Sequence, residues 1–297
     1  MRYRLLGSSG IEISEVGFGC MSLSSNSEKE NIQLLHEATD LGINYLDTAD
    51  LYDKGMSEIA VGKAIKEMRK KIVLATKVGN QWRSDGTGWD WNPRKEYILQ
   101  AIDKSLRRLQ TDYIDLYQLH GGTIEDPIDE TIEAFEELKQ KGKIRHYGIS
   151  SIRPNVIREY VKRSSMVSVM TQYSIADRRP EETILELLNQ NNISVLARGA
   201  LAQGLLVDKP VKEYLGHSKE EIENAGKTIQ SLSGQQRNAA QTAIQYVLHH
   251  AAVASAVIGI RNRKQLKEAA TAGKRLGKKE VELLKQAIKP KQYEQHR

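Results

Sequence analysis

"INYLDTADLYDKGMSEIAVGKAI", residues 43–65, is an apolar run ending in Asp47, then a loop carrying Tyr52 and Gly55, then a stretch of helical periodicity. The run is too short for a helix and ends in polar residues, so 44–48 reads as a strand and 57–68 as the helix that follows it. The same unit recurs along the whole chain. Further strands are expected at 15–20, 72–77, 113–119, 146–150, 167–172, 194–198 and 256–259. Helices are expected at 28–41, 95–109, 129–141, 154–163, 181–189, 235–250, 263–272 and 279–288. Eight strand–helix units predict an α/β fold of the closed (β/α)8 TIM-barrel class, whose usual size is ~250 residues. An open doubly wound sheet would show fewer strands, and for a dinucleotide it would carry G-x-G-x-x-G after one of them. Gly17-Phe18-Gly19 has no third glycine in register. Residues 3–13 alternate around Ser8-Ser9-Gly10, which predicts a short hairpin plugging the N-terminal end of the barrel. We expect residues 1–297 to form one such domain.

Composition narrows the function classes. A chain of 297 residues with 39% hydrophobic content can bury a large core. Lys and Arg total 44 against 38 for Asp and Glu, and the excess is scattered rather than gathered on one face with stacking aromatics. That pattern describes a solvated surface, so no nucleic-acid partner is expected. Cys20 is the only cysteine, the start MRYRLLGSSG has no apolar signal core, and the longest apolar run, 251–260, is far short of a membrane span. A cytoplasmic protein with no membrane partner is the expectation, and the oligomeric state is left open. His249-His250 is the one pair that invites a metal reading, but adjacent side chains diverge on a helix and no metal ligand set is expected.

A barrel of this kind builds its site at the C-terminal ends of its strands. Asp47 ends the second strand, Lys77 ends the third in "KIVLATKVG", His120 ends the fourth in "YIDLYQLHG", and Tyr52 lies in the loop after Asp47. Taken singly, Asp47 reads as a turn or capping residue, Tyr52 as a rim aromatic, Lys77 as a strand end and His120 as a structural histidine. Their succession on neighbouring strands argues for a shared purpose. A phenol titrates near pH ~10 in water, and an adjacent ammonium stabilises its anion. A carboxylate would hold that ammonium, and an imidazole could hydrogen-bond a substrate oxygen. Such a set delivers a proton to a developing alkoxide.

The chain resembles an aldo-keto reductase over essentially its whole length. The resemblance is carried by Gly17-Phe18-Gly19, "DTADLY" with "SEIAVGKAI", "LATKVG", "LRRLQTDYIDLYQLH", "GKIRHYGISS", "TQYS", "LAQGLL" and "IRNRKQLKEA", in the family's order and spacing. It implies metal-free reduction of an aldehyde or ketone by NADPH, with NADH as the other possibility. Tyr52 would be the general acid, tuned by Lys77 and Asp47, with His120 orienting the carbonyl. It further implies that Gly19, Cys20 and Met21 lie beneath the nicotinamide ribose, with Asp47 beside the cofactor. Ser150, Ser151 and Gln172 would meet the carboxamide, and Gly199, Leu201 and Gln203 the pyrophosphate. Gly259, Arg261, Arg263, Gln265 and Glu268 would face the adenosine end, where Arg261 or Arg263 suits a 2'-phosphate.

Three positions depart from the family pattern. Ser151 stands where Asn is usual, Ala269 stands where Asn commonly follows the Glu, and Arg198 replaces the aromatic that stacks on nicotinamide. A guanidinium is planar and can stack, but its charge disfavours the cationic oxidised ring, so a preference for NADPH over NADP⁺ is expected. Trp82, Trp89 and Trp91 all fall in the loop after Lys77. They are read either as an aromatic wall for the carbonyl substrate or, for Trp91 beside Asn92-Pro93, as the anchor that docks the loop. The polar segment 207–234 reads as a lid over the cofactor. A second class stays open, a cofactor-binding regulatory or interaction subunit of the same fold with little turnover.

Overall fold

The computed structural model describes residues 1–25, 27–270 and 273–297. It begins with an antiparallel hairpin, β1 (Tyr3–Leu5) and β2 (Glu12–Ser14), that pairs Tyr3 with Ser14. There follow β3 (Val16–Gly19), α1 (Glu28–Asp40), β4 (Tyr45–Asp47), α2 (Met56–Ile65) and β5 (Val73–Val78). A second hairpin, β6 (Asn80–Trp82) and β7 (Trp89–Trp91), precedes α3 (Lys95–Leu109), β8 (Ile114–Leu119), α4 (Ile128–Gln140) and β9 (Ile144–Ser150). The chain continues through α5 (Pro154–Arg163), β10 (Ser168–Gln172), α6 (Ile184–Gln190), β11 (Ser194–Arg198), α7 (Lys219–Ser231) and α8 (Ala239–Leu248). It ends with β12 (Val253–Gly259), α9 (Arg263–Ala269) and α10 (Lys278–Ala287). Strands β3, β4, β5, β8, β9, β10, β11 and β12 close in that order into a parallel barrel, with β12 pairing β3. This is the (β/α)8 barrel that the sequence predicts.

Strand alternation sorts the side chains into two cores. On β5, Leu74 and Val78 pack outward against the helices, while Val73 and Ala75 face the barrel interior. Leu46, Val169 and Val195 face outward in the same way, and Tyr45, Leu116, Met170 and Leu196 inward. Leu6 and Ile13 of the first hairpin are fully buried within that interior cluster, so the hairpin does plug the barrel. Gly17 is required on this face because a Cβ there would approach Tyr45 Cδ1 to 2.6 Å.

The boundaries shift where capping chemistry outweighs periodicity. The helix expected over 235–250 starts only at Ala239, because Asn238 caps it and accepts from the Gln241 N–H. The helix expected over 181–189 is split into a 3-10 turn, Arg179–Glu182, and α6. The last strand starts at Val253, earlier than expected, and the final two residues of the helix expected over 263–272 lie outside the described residues. Helix α7 was not expected inside the polar segment 207–234. Its signals are the Ser218/Glu221 capping box and the spacing of buried Ile222, Ala225 and Ile229.

The plug supplies a stability test. Ile13→Ala should cost about 2–5 kcal/mol in denaturant unfolding, whereas Leu5→Ala, 57% exposed on the same hairpin, should change stability by no more than about 0.5 kcal/mol.

Candidate active site

The interior alternation continues upward beyond the apolar layer. On β4, Asp47 follows Tyr45 on the inner face, and on β5 Lys77 follows Val73 and Ala75. Lys77 has no solvent exposure. Its ammonium donates to Asp47 Oδ1 at 2.5 Å, to the Thr48 carbonyl at 2.8 Å and to Tyr52 Oη at 3.2 Å. Burial works against the charge, but Asp47 and then Tyr52 outweigh it and hold the lysine above its usual value. Asp47 is buried as well, and its second oxygen accepts from Gln118 Nε2 at 3.2 Å. Gln118 did not stand out in the sequence. The signal was its position two residues before His120, on the same strand face in "LYQLHG".

His120 meets Tyr52 edge to face, with ring centroids 5.6 Å apart and planes at 82°. Burial, then the charges of Lys77 and Arg198, push its pKa down to about 3, so the imidazole is neutral at physiological pH. Its Nδ1 is buried with no hydrogen-bond partner among the described residues. Asp47, Tyr52, Lys77 and His120 thus come together at one rim, with a ready donor set and a buried nitrogen to spare.

The other expected positions divide. Gly19 pairs in register with Gly259 at the mouth, leaving a strip of floor bare of side chains. Met21 is 65% exposed beside it, whereas Cys20 is wholly buried, its carbonyl accepting from Ser57 Oγ at 3.1 Å. Ser150 ends β9, and Ser151 turns its hydroxyl back to accept from the Arg153 N–H at 3.1 Å. Gln172 and Arg198 end the neighbouring strands β10 and β11, paired in register, and Arg198 Nη1 donates to Gln172 Oε1 at 2.9 Å. Beyond Leu201, residues Ala202 and Gln203 both have positive φ, 46° and 62°, after Gly199 at 75°. Successive turns of this kind aim backbone N–H groups at one point and suit an anion. Arg261, Arg263 and Gln265 gather around the start of α9 and Glu268 lies in its last turn; the Gln265 side chain accepts from the Arg261 N–H at 3.0 Å and Arg263 also pairs with Glu37 of α1.

The three tryptophans take different places. Trp91 is the loop's anchor: its Nε1 donates to both oxygens of Asp126 at 3.0 Å, and its ring covers Gly79, where φ is 122° and a Cβ would come within 2.6 Å. Trp82 pairs with Trp89 across the β6–β7 hairpin and has the Lys54 ammonium 5.4 Å from its ring, while Trp89 is 46% exposed. Among the described residues no group of three or more His, Cys, Asp or Glu side chains could hold a metal ion, and no helix is long and apolar enough to cross a membrane.

Fold and rim together define a (β/α)8-barrel protein with an ionisable cluster centred on a buried lysine. The chain belongs to the Aldo/keto reductase family, whose model matches residues 15–289. It is 53% identical, over the full length of both chains, to "Uncharacterized oxidoreductase YqkF" of Bacillus subtilis (strain 168). The solved structure of aldo-keto reductase AKR11C1 from Bacillus halodurans in its holo form superposes with a TM-score of 0.93 at 51% identity, covering 100% of this chain and 99% of that one. The NADH-specific methylglyoxal reductase of Escherichia coli (strain K12) is 34% identical over 71% of this chain and 70% of its own. The protein is an NAD(P)H-dependent oxidoreductase of this family, and these relatives give no support to the reading as a regulatory subunit.

Removing one member of a buried ion pair strands the other charge. Asp47→Asn should therefore destabilise the fold by about 3–5 kcal/mol, and adding Lys77→Met should recover most of that loss, both read from denaturant midpoints.

Proposed function

We propose that the protein reduces an aldehyde or ketone to the alcohol with NADPH, Tyr52 serving as the general acid. One observation carries this reading, the Lys77 ammonium held inside the barrel against Asp47, Thr48 and Tyr52. A reduced nicotinamide, when bound, supplies the hydride. Because the Tyr52 oxygen accepts from Lys77, its own O–H is left for another acceptor, and a substrate carbonyl oxygen is the partner this mouth offers. Proton release leaves a phenolate, which the adjacent ammonium stabilises, and Asp47 keeps that ammonium in place. Neutral His120 donates an N–H to the same substrate oxygen and fixes its approach to Tyr52.

The residues present fit a nicotinamide dinucleotide. The Gly19 and Gly259 floor leaves room that a Cβ would fill, with Ile258 O only 3.3 Å from one built on Gly19. Gly199, Leu201 and Gln203 would take the pyrophosphate on backbone N–H groups. Arg261 and Arg263, with Gln265 and Glu268, would take the adenosine end, and the two arginines favour a 2'-phosphate and hence NADPH over NADH. Trp82 and Trp89 would border the substrate, Trp91 being committed to Asp126. A soluble small carbonyl compound and a cytoplasmic setting accord with this chemistry.

Tyr52→Phe should lower kcat by about 10²- to 10⁴-fold while NADPH still quenches protein fluorescence at the wild-type concentration. For His120, kcat/KM between about pH 5 and about pH 8 should show no ionisation that His120→Gln removes, since the native imidazole is already neutral there. Arg198 should make NADPH bind several-fold more tightly relative to NADP⁺ than it does in Arg198→Tyr, measured as the two dissociation constants. An unchanged ratio would refute the charge argument.

A further inference from the structure

Asp50 belongs to the loop that carries Tyr52, yet the reduction proposed above makes no use of it. Its N–H donates to the Lys77 carbonyl at 3.4 Å, which fixes it beside the stretch of β5 that presents the ammonium. Asp50 is only 7% exposed. The titratable and charged groups around its carboxyl are Glu58 of α2, Arg108 and Tyr97 of α3, Tyr117 of β8 and Lys77 of β5. Glu58 is fully buried, accepting from Thr76 Oγ1 at 2.6 Å and from Arg108 Nε at 2.6 Å. Arg108 donates to Ser105 Oγ at 3.1 Å as well, and it packs on Gly55, where φ is 87° and a Cβ would come within 2.8 Å. The Tyr97 hydroxyl donates to the Asn80 carbonyl at 3.4 Å. Tyr117 Oη and Asp50 Oδ1 are both buried with no hydrogen-bond partner among the described residues.

The charges here do not balance if every carboxyl is ionised. Asp47, Asp50 and Glu58 share this part of the fold with the cations Lys77 and Arg108. Direct bonds close the pairs Asp47 with Lys77, at 2.5 Å, and Glu58 with Arg108, at 2.6 Å. Asp50 is the carboxyl left without a cation of its own, and a carboxyl buried in that state keeps its proton rather than its charge. Burial, then Glu58, raise its pKa to about 8, while Arg108, the Leu51 N–H and Lys77 oppose the shift without overcoming it.

We propose that Asp50 is a positioning residue that serves the reaction as an uncharged acid, leaving Lys77 balanced by Asp47 alone. The field of the ammonium then holds the negative charge that grows on Tyr52 as its proton leaves. Once ionised, Asp50 adds a second anion beside Lys77 and opposes that charge, so proton delivery slows. The sign follows directly: reduction is fast below about pH 8, where the acid is neutral, and slows above it. This rests on the proton-delivery reading above and adds to it an alkaline limit set in the barrel wall rather than at the mouth.

The test follows kcat/KM for carbonyl reduction at saturating NADPH from about pH 6 to about pH 10. Wild type should lose roughly three- to tenfold across a fall centred near pH 8, and Asp50→Asn, whose amide does not ionise, should show no fall there. Rates at high and low pH are compared within each protein, so the folded fraction cancels. A second measurement needs neither nucleotide nor turnover. Infrared difference spectra of the full chain between low and high pH should contain a carboxylic acid C=O band that disappears near pH 8 in wild type and is absent from Asp50→Asn. If Asp50→Asn does not fold, Glu58→Gln, which removes the neighbouring anion, should carry both the fall and the band about one pH unit lower. A wild-type profile flat through pH 8, a wild type without the band, a fall retained in Asp50→Asn or one unmoved in Glu58→Gln overturns the proposal while the reductase reading stands. A band that titrates near pH 8 in a protein that reduces no carbonyl overturns the reductase reading, and with it the part given to Asp50.

Discussion

The Lys77 ammonium, with no access to water and three oxygens around it, is the constraint on which the rest of the site depends. A lone charge at that depth would be expelled or neutralised. It survives because Asp47 arrives on the adjacent strand at the right height, and that height is set by the pairing of Tyr45 with Val73 and Asp47 with Ala75. A slip of one residue between β4 and β5 would turn the carboxylate outward among the helices. What forbids the slip is apolar: Val73 and Ala75 fill the interior while Leu74 and Val78 pack outside. The chemistry at the top of the barrel is therefore registered by hydrophobic side chains lower down.

This division explains the stacking of the interior. Its apolar part holds Leu6, Ile13, Tyr45, Leu116, Met170 and Leu196. The upper half holds Asp47, Lys77, Gln118 and the ends of β10 and β11. Only a floor already sealed by the N-terminal hairpin lets the polar layer open toward solvent on one side, so that its hydrogen bonds are made among its own members and with whatever enters the mouth.

How far the sequence discloses this depends on where each signal lies. Asp47, Lys77 and His120 are legible because each is a polar residue terminating an apolar run, which is a local pattern. Gln118 is hidden within such a run and becomes visible only when strand parity is counted. The 3-residue strands of β6 and β7 are too short to carry a period. Whether Trp91 lines or docks is decided by Asp126 and Gly79, neither of which is near it in a recognisable motif. The partnership of Gln172 with Arg198 is a matter of register between strands separated by a helix, and register is tertiary information. The barrel is thus written in short repeating units, while the coupling between its site residues is written in how those units align.

The hairpin at the start of the chain has one more consequence. Arg4 donates to the carbonyls of Val253 and Leu248, the Gly7 N–H to Ser194 Oγ, and Glu15 pairs with Arg275 as well as with Arg2 and Arg4. The hairpin residues thus complete their bonds only when residues made much later in translation have emerged. During synthesis Leu6 and Ile13 must wait without a cavity to fill, and the ring cannot shut until β12 reaches β3. A growing chain of this design holds the hairpin's apolar surface open until β12 has been made. Its hazard is aggregation before birth rather than instability after it.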